Sequence, residues 1–485
     1  MTKATWLVSL LALAGALAAQ PATPAKPPAE APGVPGNGAA GSWLGALDLG
    51  SMKLRLALEV TAKDGKLEAV LDSIDQNAKL PVTSIEDSAA GLKFAVAPIN
   101  GSFEGRYSQD GAQLVGTWTQ AGNSLPLTFK RQAGPFALKR PQEPTKPFPY
   151  REEEVTVQNS RASVSLAGTL TLPAGKGPFP AVVLMSGSGP QDRDESLMGH
   201  KPFLVLADHL TRAGVAVLRY DDRGFGKSSG NFAAATHVDF ASDGRAAFEY
   251  LKTRPEIDPA RIGLLGHSEG SVYAPYIAKD APDVAFVVLL AGVGVPMRDL
   301  LERQGMDILK AMGLAYTPSA EEIAINDAIF ERLALKKIDR ETAEFLRAKL
   351  REAIALTPEN VRRALNLNEQ SIEMRLQTLL NPWFMELLTY DAHKELGHIR
   401  APVLALFGSK DTQVAAEPNS EAMKKAFAAA GNRDVTLKTF DGLNHLFQHA
   451  TTGALTEYSS IEETMAPAVL ETTSKWILQK TAVRK

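Results

Sequence analysis

The segment RIGLLGHSEGS at residues 261–271 constrains the fold more than any other stretch of the chain. Its apolar first half predicts a buried strand, and VYAPYIAK at residues 272–279 predicts a helix. Between them lies a Gly-x-Ser-x-Gly motif centred on Ser268. In this context the motif predicts a sharp turn that holds the serine at positive φ, with Gly266 and Gly270 letting strand and helix approach closely. Ser268 is therefore the predicted nucleophile.

A second Gly-x-Ser-x-Gly match occurs at residues 226–230. Here a long loop separates the central Ser228 from the preceding apolar run at 215–220, and no helix is predicted directly after it. Ser228 is therefore predicted to be a loop serine.

The N-terminal residues predict export. Lys3 precedes an apolar run at residues 6–19, which is too short to span a bilayer, and residues 16–18 (ALA) offer a small-residue cleavage pattern. Residues 1–19 are therefore predicted to be a signal peptide, and the protein to be periplasmic or secreted. Because the chain has no cysteine, a lipid-modified N-terminus is excluded and no membrane anchor is expected.

Two linkers flank a β-rich segment. Residues 20–41 are rich in proline and alanine, and residues 132–149 form a second Pro-rich connection. Residues 42–131 alternate apolar and polar side chains between Asp-Gly turn signals, which predicts about six to eight short strands in a small all-β barrel or sandwich. This domain holds no constellation of titratable residues and is expected to be a structural or docking module.

From Tyr150 onwards, continuous apolar runs alternate with helical segments. Such runs are typical of parallel strands buried on both faces, and the alternation predicts an open α/β sheet with helices on both faces. Residues 297–395 interrupt it with helical sequence rich in Glu, Lys and Arg. This predicts an inserted helical cap over the carboxyl edge of the sheet, where such folds bind ligands. The sheet domain is thus predicted in two parts, 150–296 and 396–485.

A nucleophilic serine needs a general base that an acid orients, and the elbow predicts the chain order serine, acid, histidine. Two of the eight histidines, His445 and His449, follow the last predicted strand at 435–440. His445 lies in a glycine-containing loop directly after that strand and is the predicted base, whereas His449 is expected on a helix or at the surface. Asp411 follows the predicted strand at 403–407 on the same edge and is the predicted acid.

Two backbone N–H groups are expected to stabilise the oxyanion of the reaction. One belongs to Glu269, which follows the nucleophile. The other should come from the loop after the predicted strand at 181–185, where Ser188 is favoured and Gly189 is the alternative.

Charged residues next to this loop are given structural roles. Arg193 and Asp194 are expected to pair with each other, and Asp222 with Arg223 is expected to shape the loop after the strand at 215–218.

Several other chemistries find no support in the sequence. The net charge of −3 gives no electrostatic signature of nucleic-acid binding. No metal-binding motif, P-loop or dinucleotide fingerprint occurs, so no cofactor and no metal are expected.

Together, these motifs resemble the α/β-hydrolase superfamily across residues 150–480. The resemblance is carried, in chain order, by SGSGPQDRD, YDDRGFGKS, GHSEG, FGSKD and NHLF. With the β-rich domain and the cap, the chain is similar to exported bacterial carboxylesterases that act on short acyl esters. The resemblance implies an acyl-enzyme mechanism and a small-molecule acyl ester as substrate. One departure is Ser186, where many members of the superfamily carry histidine.

Alternative functions stay open at this point. A serine aminopeptidase of the same fold would need carboxylates in the cap to hold a free amino terminus. An acyl-thioesterase or acyltransferase would use the same triad. A binding protein without catalysis would be expected to have lost a triad member, and none is missing. The sequence predicts neither the natural substrate nor the oligomeric state.

Overall fold

The computed structural model describes residues 38–48, 53–63, 65–74, 78–88, 91–120, 123–136, 139–365 and 367–482. The predicted signal peptide lies outside these residues. The described chain divides into two compact units, one of residues 140–455 with 463–482 and the other of the preceding β-rich segment with 456–462. No helix in the described part combines the length and the apolar character needed to cross a bilayer.

The β-rich unit is a single antiparallel sheet, which forms a half-barrel. Its described strands run in the spatial order β4-β3-β2-β1-β9-β8-β7-β6-β5. They are β1 (Gly41–Asp48), β2 (Lys53–Lys63), β3 (Lys66–Ser73), β4 (Ala78–Pro81), β5 (Ser84–Ser88), β6 (Gly91–Val96), β7 (Gly101–Tyr107), β8 (Gln113–Gln120) and β9 (Asn123–Gln132). The predicted all-β domain is therefore confirmed, in an architecture more open than a closed barrel.

The alternating apolar side chains of this sheet meet on one face. Phe94 stacks on Phe103 with ring centroids 5.3 Å apart, and Phe129 meets Phe103 edge-on at 5.3 Å. Trp43 is fully buried in the same cluster and donates its indole N–H to the Ala39 carbonyl. The unit thus has its own apolar core, as its period-two pattern requires.

The larger unit is built on a sheet of eight strands in the order β10-β11-β13-β12-β14-β15-β16-β17. They are β10 (Arg151–Asn159), β11 (Val164–Leu172), β12 (Phe179–Met185), β13 (Ala216–Tyr220), β14 (Ile257–His267), β15 (Val287–Leu290), β16 (Val403–Gly408) and β17 (Val435–Phe440). β11 pairs antiparallel with its neighbours β10 and β13. The remaining pairs, in the spatial order β13-β12-β14-β15-β16-β17, are all parallel. The predicted fold class is confirmed.

Helices cover this sheet and fill the insertion. Those that follow strands are α1 (Pro202–Ala213), α2 (His237–Lys252), α3 (Gly270–Asp280), α11 (Ala416–Ala429) and α13 (Pro467–Lys480). A short helix, α12 (Leu455–Tyr458), lies mostly in residues 456–462 of the other unit. The insertion between β15 and β16 holds α4 (Met297–Ala311), α5 (Ala320–Ala334), α6 (Arg340–Leu356), α7 (Glu359–Ala364), α8 (Glu369–Leu379), α9 (Pro382–Leu387) and α10 (Ala392–Glu395). α1 packs against α13, and α2 packs against α3.

The carboxyl ends of the parallel strands bring distant loops together. Every residue of β16 is buried, so the loop that follows it starts from a fixed strand end. At its last residue, Gly408, a Cβ atom would lie 2.3 Å from the Leu443 carbonyl oxygen in the loop after β17. The N–H of Lys410 donates to the same carbonyl at 2.9 Å. The loops that carry Asp411 and His445 are therefore joined through their backbones.

Candidate active site

Ser268 occupies the sharp turn between β14 and α3. Its φ is 51°, in the left-handed region that residues with a Cβ rarely adopt, and its N–H donates to the Leu290 carbonyl at 2.8 Å. A Cβ at Gly266 would lie 2.2 Å from the Gly270 carbonyl oxygen, and one at Gly270 would lie 2.1 Å from the Met185 carbonyl oxygen. The turn therefore has the conformation that the motif predicts, and both glycines are sterically required.

Asp411 and His445 form a buried hydrogen-bonded pair. His445 Nδ1 lies 2.8 Å from Asp411 Oδ2, and both side chains are almost completely buried. The other carboxylate oxygen accepts the N–H groups of Gln413 and Val414, each at 2.8 Å. Because a carboxylate only accepts, it fixes the proton on Nδ1 and leaves Nε2 with a free lone pair. An imidazole in this state can take a proton from a neighbouring hydroxyl.

The loop of His445 lies against the elbow. The ring of His267, the residue before Ser268, is 4.8 Å from the His445 ring between centroids. His267 Nε2 also lies 3.1 Å from the His445 carbonyl oxygen. The structure thus brings the three predicted triad positions to one edge of the sheet.

The two alternative candidates have structural partners instead. The Ser228 hydroxyl donates to the Asp221 carbonyl at 2.7 Å and accepts the Ala167 N–H at 2.9 Å, so it fastens a loop to β11. His449 lies at the surface, where it pairs with Glu463 at 2.8 Å and its side chain is 69% exposed.

The loop after β12 lies beside Ser268. A Cβ at Gly187 would be 3.4 Å from the Ser268 Cβ, and the Gly187 N–H donates to Glu195 Oε1 at 2.8 Å. Within the described chain, the backbone N–H groups of Ser188 and Glu269 form no hydrogen bond with another protein group. They are the two N–H groups that the sequence assigns to an oxyanion, and Gly189, the alternative, follows at a φ of 89°.

The buried carboxyl of Asp222 holds the loop after β12 through two hydrogen bonds. Asp222 accepts the Ser186 hydroxyl at 3.1 Å and the Gln191 N–H at 2.9 Å. Burial, opposed by these two hydrogen bonds, raises the pKa of Asp222 well above its ordinary value. Ser186 therefore supplies a contact between this loop and Asp222. Arg223 does not join Asp222 but pairs with Asp243 at 2.6 Å.

The predicted pairing of Arg193 with Asp194 is wrong. The Arg193 guanidinium forms a two-point contact with Asp221, at 2.8 and 3.0 Å. Asp194 instead accepts from Arg219 at 3.0 Å. Neighbouring side chains in a loop point in different directions, so each finds its partner on β13 or just after it. Arg193 is thus used to hold the loop.

The sequence did not reveal a contact between the cap and the elbow. The Trp383 indole N–H on α9 donates to Glu269 Oε1 at 2.5 Å, and the Tyr273 hydroxyl donates to the same oxygen at 2.8 Å. Burial raises the pKa of Glu269 above its ordinary value, although hydrogen bonds from Trp383, Ser188 and Tyr273 oppose it. No motif in the sequence marks Trp383, and the fold places its indole against Glu269, the residue after Ser268.

The described residues contain no group of three or more His, Asp or Glu side chains placed to hold a metal ion.

The steric requirement at the elbow gives a stability prediction. Gly270→Ala places a methyl group 2.1 Å from a backbone oxygen and should lower the free energy of unfolding of the α/β unit by about 1–3 kcal/mol or more. Gly397→Ala is the matched control, because its Cβ would meet the nearest atom at 3.6 Å, and it should change stability by less than about 0.5 kcal/mol. Chemical denaturation followed by circular dichroism compares the two. Equal stability of both variants would contradict the packing argument.

Comparisons with known proteins agree with this geometry. The sequence profile of the family described as serine aminopeptidase, S33, matches residues 201–450, more than half of the chain. Esterase EstD of Thermotoga maritima is 30% identical over 300 residues, which cover 62% of this chain and 61% of EstD. Rv2307c of Mycobacterium tuberculosis is 33% identical over 159 residues, which cover 30% of this chain and 48% of that protein. The chain thus spans less than two thirds of either curated relative.

A solved structure of Est1E from Butyrivibrio proteoclasticus with ferulic acid aligns with 68% of this chain and 100% of its own, at 18% identity and a TM-score of 0.40. The profile match extends from α1 past His445 and includes the elbow, the cap and the Asp411 loop. The chain belongs to the serine aminopeptidase S33 family of α/β-hydrolases.

Proposed function

We propose that this protein is a serine carboxylesterase that hydrolyses short-chain acyl esters through a triad of Ser268, Asp411 and His445. The observation that carries the proposal is the buried Asp411–His445 pair, at 2.8 Å, on the sheet edge where Ser268 stands in a strained turn. Strain of this kind is kept where the surrounding structure holds a functional group in place. The sequence relationship to esterase EstD supports the same reaction class.

In this mechanism the Ser268 hydroxyl attacks the ester carbonyl carbon while His445 Nε2 takes its proton. Asp411 keeps the imidazole oriented and stabilises its charged form. The N–H groups of Ser188 and Glu269 donate to the tetrahedral oxyanion, with Gly189 as the alternative loop donor. His445 then protonates the departing alcohol. Water, deprotonated by His445, then attacks the acyl carbon. The bond from that carbon to Ser268 Oγ breaks as His445 returns the proton to Oγ, and the carboxylic acid leaves.

The cap supports a preference for short acyl groups. Trp383 reaches the residue next to Ser268 and is buried there, so a bulky ring occupies space beside the nucleophile. A long acyl chain directed towards Glu269 would have to displace this ring and break its hydrogen bond to Glu269.

An aminopeptidase activity is the second candidate, because the family description names one. It requires an ionised carboxylate that can pair with a substrate ammonium group. Two of the cap carboxylates have other partners, since Glu386 pairs with Lys336 and Glu302 pairs with Arg298. Beside the nucleophile, Glu269 already accepts hydrogen bonds from Trp383 and Tyr273. These contacts favour an ester substrate.

The proposed nucleophile has a matched control in the second serine motif. Ser268→Ala should abolish turnover of p-nitrophenyl acetate or butyrate with an unchanged circular-dichroism spectrum, because the attacking oxygen is lost. Ser228→Ala should keep most of the activity, since that hydroxyl only fastens a loop. Steady-state kinetics of both variants tests this. Substantial turnover by Ser268→Ala would exclude it as the nucleophile.

A substrate panel separates the candidate reactions. Short acyl esters should give the highest kcat/KM, and values should fall as the acyl chain lengthens. Corresponding thioesters and aminoacyl p-nitroanilides serve as the thioesterase and aminopeptidase arms, all measured at one pH. A higher kcat/KM on an aminoacyl amide would replace the carboxylesterase assignment with the aminopeptidase one.

We further propose that the protein is exported, on the basis of the charged start and apolar run in residues 1–19. Expression of the full chain in a Gram-negative bacterium should give a periplasmic or secreted product whose N-terminus follows the ALA pattern at residues 16–18. Intact-mass analysis of the fractionated protein measures this. An uncleaved product confined to the cytoplasm would contradict export.

A further inference from the structure

His267, the histidine of the elbow, has a hydrogen-bond partner at each ring nitrogen. The His267 side chain is 6% exposed. Its Nδ1 lies 2.8 Å from Glu195 Oε1, and its Nε2 lies 3.1 Å from the His445 carbonyl oxygen. The proposed reaction uses neither His267 nor the Glu195 carboxyl.

Both partners of the ring are hydrogen-bond acceptors. A backbone carbonyl has no proton, and Glu195 Oε1 already accepts the Gly187 N–H at 2.8 Å. A neutral imidazole has a single N–H. One of the two ring nitrogens would then face an acceptor without a proton between them, unless Glu195 Oε1 itself carried a proton. The geometry therefore favours an imidazolium that donates from both nitrogens to a carboxylate and a carbonyl.

The charges around the His267 ring also favour the imidazolium. Burial would lower the pKa of His267, but the Glu195 carboxylate, the His445 carbonyl and the Asp411 carboxylate together raise this pKa above its ordinary value. The facing titratable groups among the described residues are Glu195 from the loop after β12, Asp411 from the loop after β16 and His445 from the loop after β17.

Glu195 and His267 together contact each part of the proposed hydrolytic machinery. Glu195 holds the N–H of Gly187, the neighbour of the proposed oxyanion donor Ser188. His267 precedes the nucleophile directly and holds the backbone of the proposed base, His445. Glu195 has a φ of 53°, in the left-handed region that residues with a Cβ rarely adopt, and such a conformation persists where surrounding contacts fix it.

We propose that Glu195 and His267 form a buried ion pair that positions the oxyanion loop, the nucleophile and the base relative to one another. The inference rests on the proposed function, since the parts that it positions are those of the ester hydrolase. Both are positioning residues, because neither is assigned a contact with substrate.

The ion pair makes activity sensitive to alkaline pH. A group whose pKa is raised by folding gives its full stabilisation below its unfolded pKa and loses it as pH rises through the folded one. Deprotonation of His267 removes one of its two donated hydrogen bonds and the attraction to Glu195. The loops should then loosen, and kcat should fall more than KM rises.

Three variants test the pair on p-nitrophenyl acetate across a pH series. Glu195→Gln keeps an acceptor for Gly187 but removes the charge, so the alkaline limb of kcat should move to lower pH. His267→Gln should lower kcat by about a hundredfold, the cost of a misplaced reacting group, with KM nearly unchanged. His449→Gln is the matched control, because it removes another His–Glu pair of 2.8 Å at the surface, and it should match the wild-type profile.

A spectroscopic measurement separates this inference from the proposed function. Wild-type protein labelled with [15N]histidine should show both His267 nitrogens protonated at about pH 7, with the assignment made by comparison with His267→Gln. If the wild-type protein hydrolyses no ester, the proposed function fails and this spectrum alone decides the ion pair. A singly protonated His267, or a Glu195→Gln profile identical to wild type, would overturn the pair. If Glu195→Gln does not fold, the spectrum and His267→Gln still decide it.

Discussion

The left-handed backbone of Ser268 is the constraint on which the site depends. A non-glycine residue at positive φ costs about 1–2 kcal/mol, and here the backbone bond to Leu290 and close packing around the turn offset that cost. This packing requires glycine at residues 266 and 270. A Cβ atom at Gly266 or at Gly270 would lie within 2.2 Å of a backbone oxygen. These contacts fix the serine at the point where strand, helix and oxyanion loop converge.

The parallel sheet extends that precision to residues far away in the chain. β16 and β17 are paired along their whole length, from Val403 with Val435 to Gly408 with Phe440, so the following loops leave the sheet side by side. A backbone bond from Lys410 to Leu443 then joins the two loops. Asp411 and His445 therefore come within 2.8 Å of each other. The paired strands β16 and β17 are rigid, and they determine this distance.

The sequence predicts most of this arrangement because position after a strand is a strong signal. Runs of apolar residues locate the strands, and parallel order places Asp411 and His445 on one edge before any coordinates are known. The roles of Glu195 and Trp383 are not predictable in the same way. Their partners lie 72 and 114 residues away in the sequence, and no periodicity marks such contacts. The pairing of Arg193 with Asp194 failed because adjacency in sequence says little about contact in a loop.

Asp222, Glu269 and Glu195 are buried carboxyls next to the oxyanion loop. Among the described residues, Asp222 and Glu269 accept hydrogen bonds from neutral donors, and burial raises the pKa of both carboxyls. Glu195 faces an imidazole, so it can keep its charge through an ion pair. A negative charge buried beside a developing oxyanion would repel it. The imidazolium of His267 offsets the charge of Glu195, as the guanidinium of Arg193 in the same loop offsets the charge of Asp221.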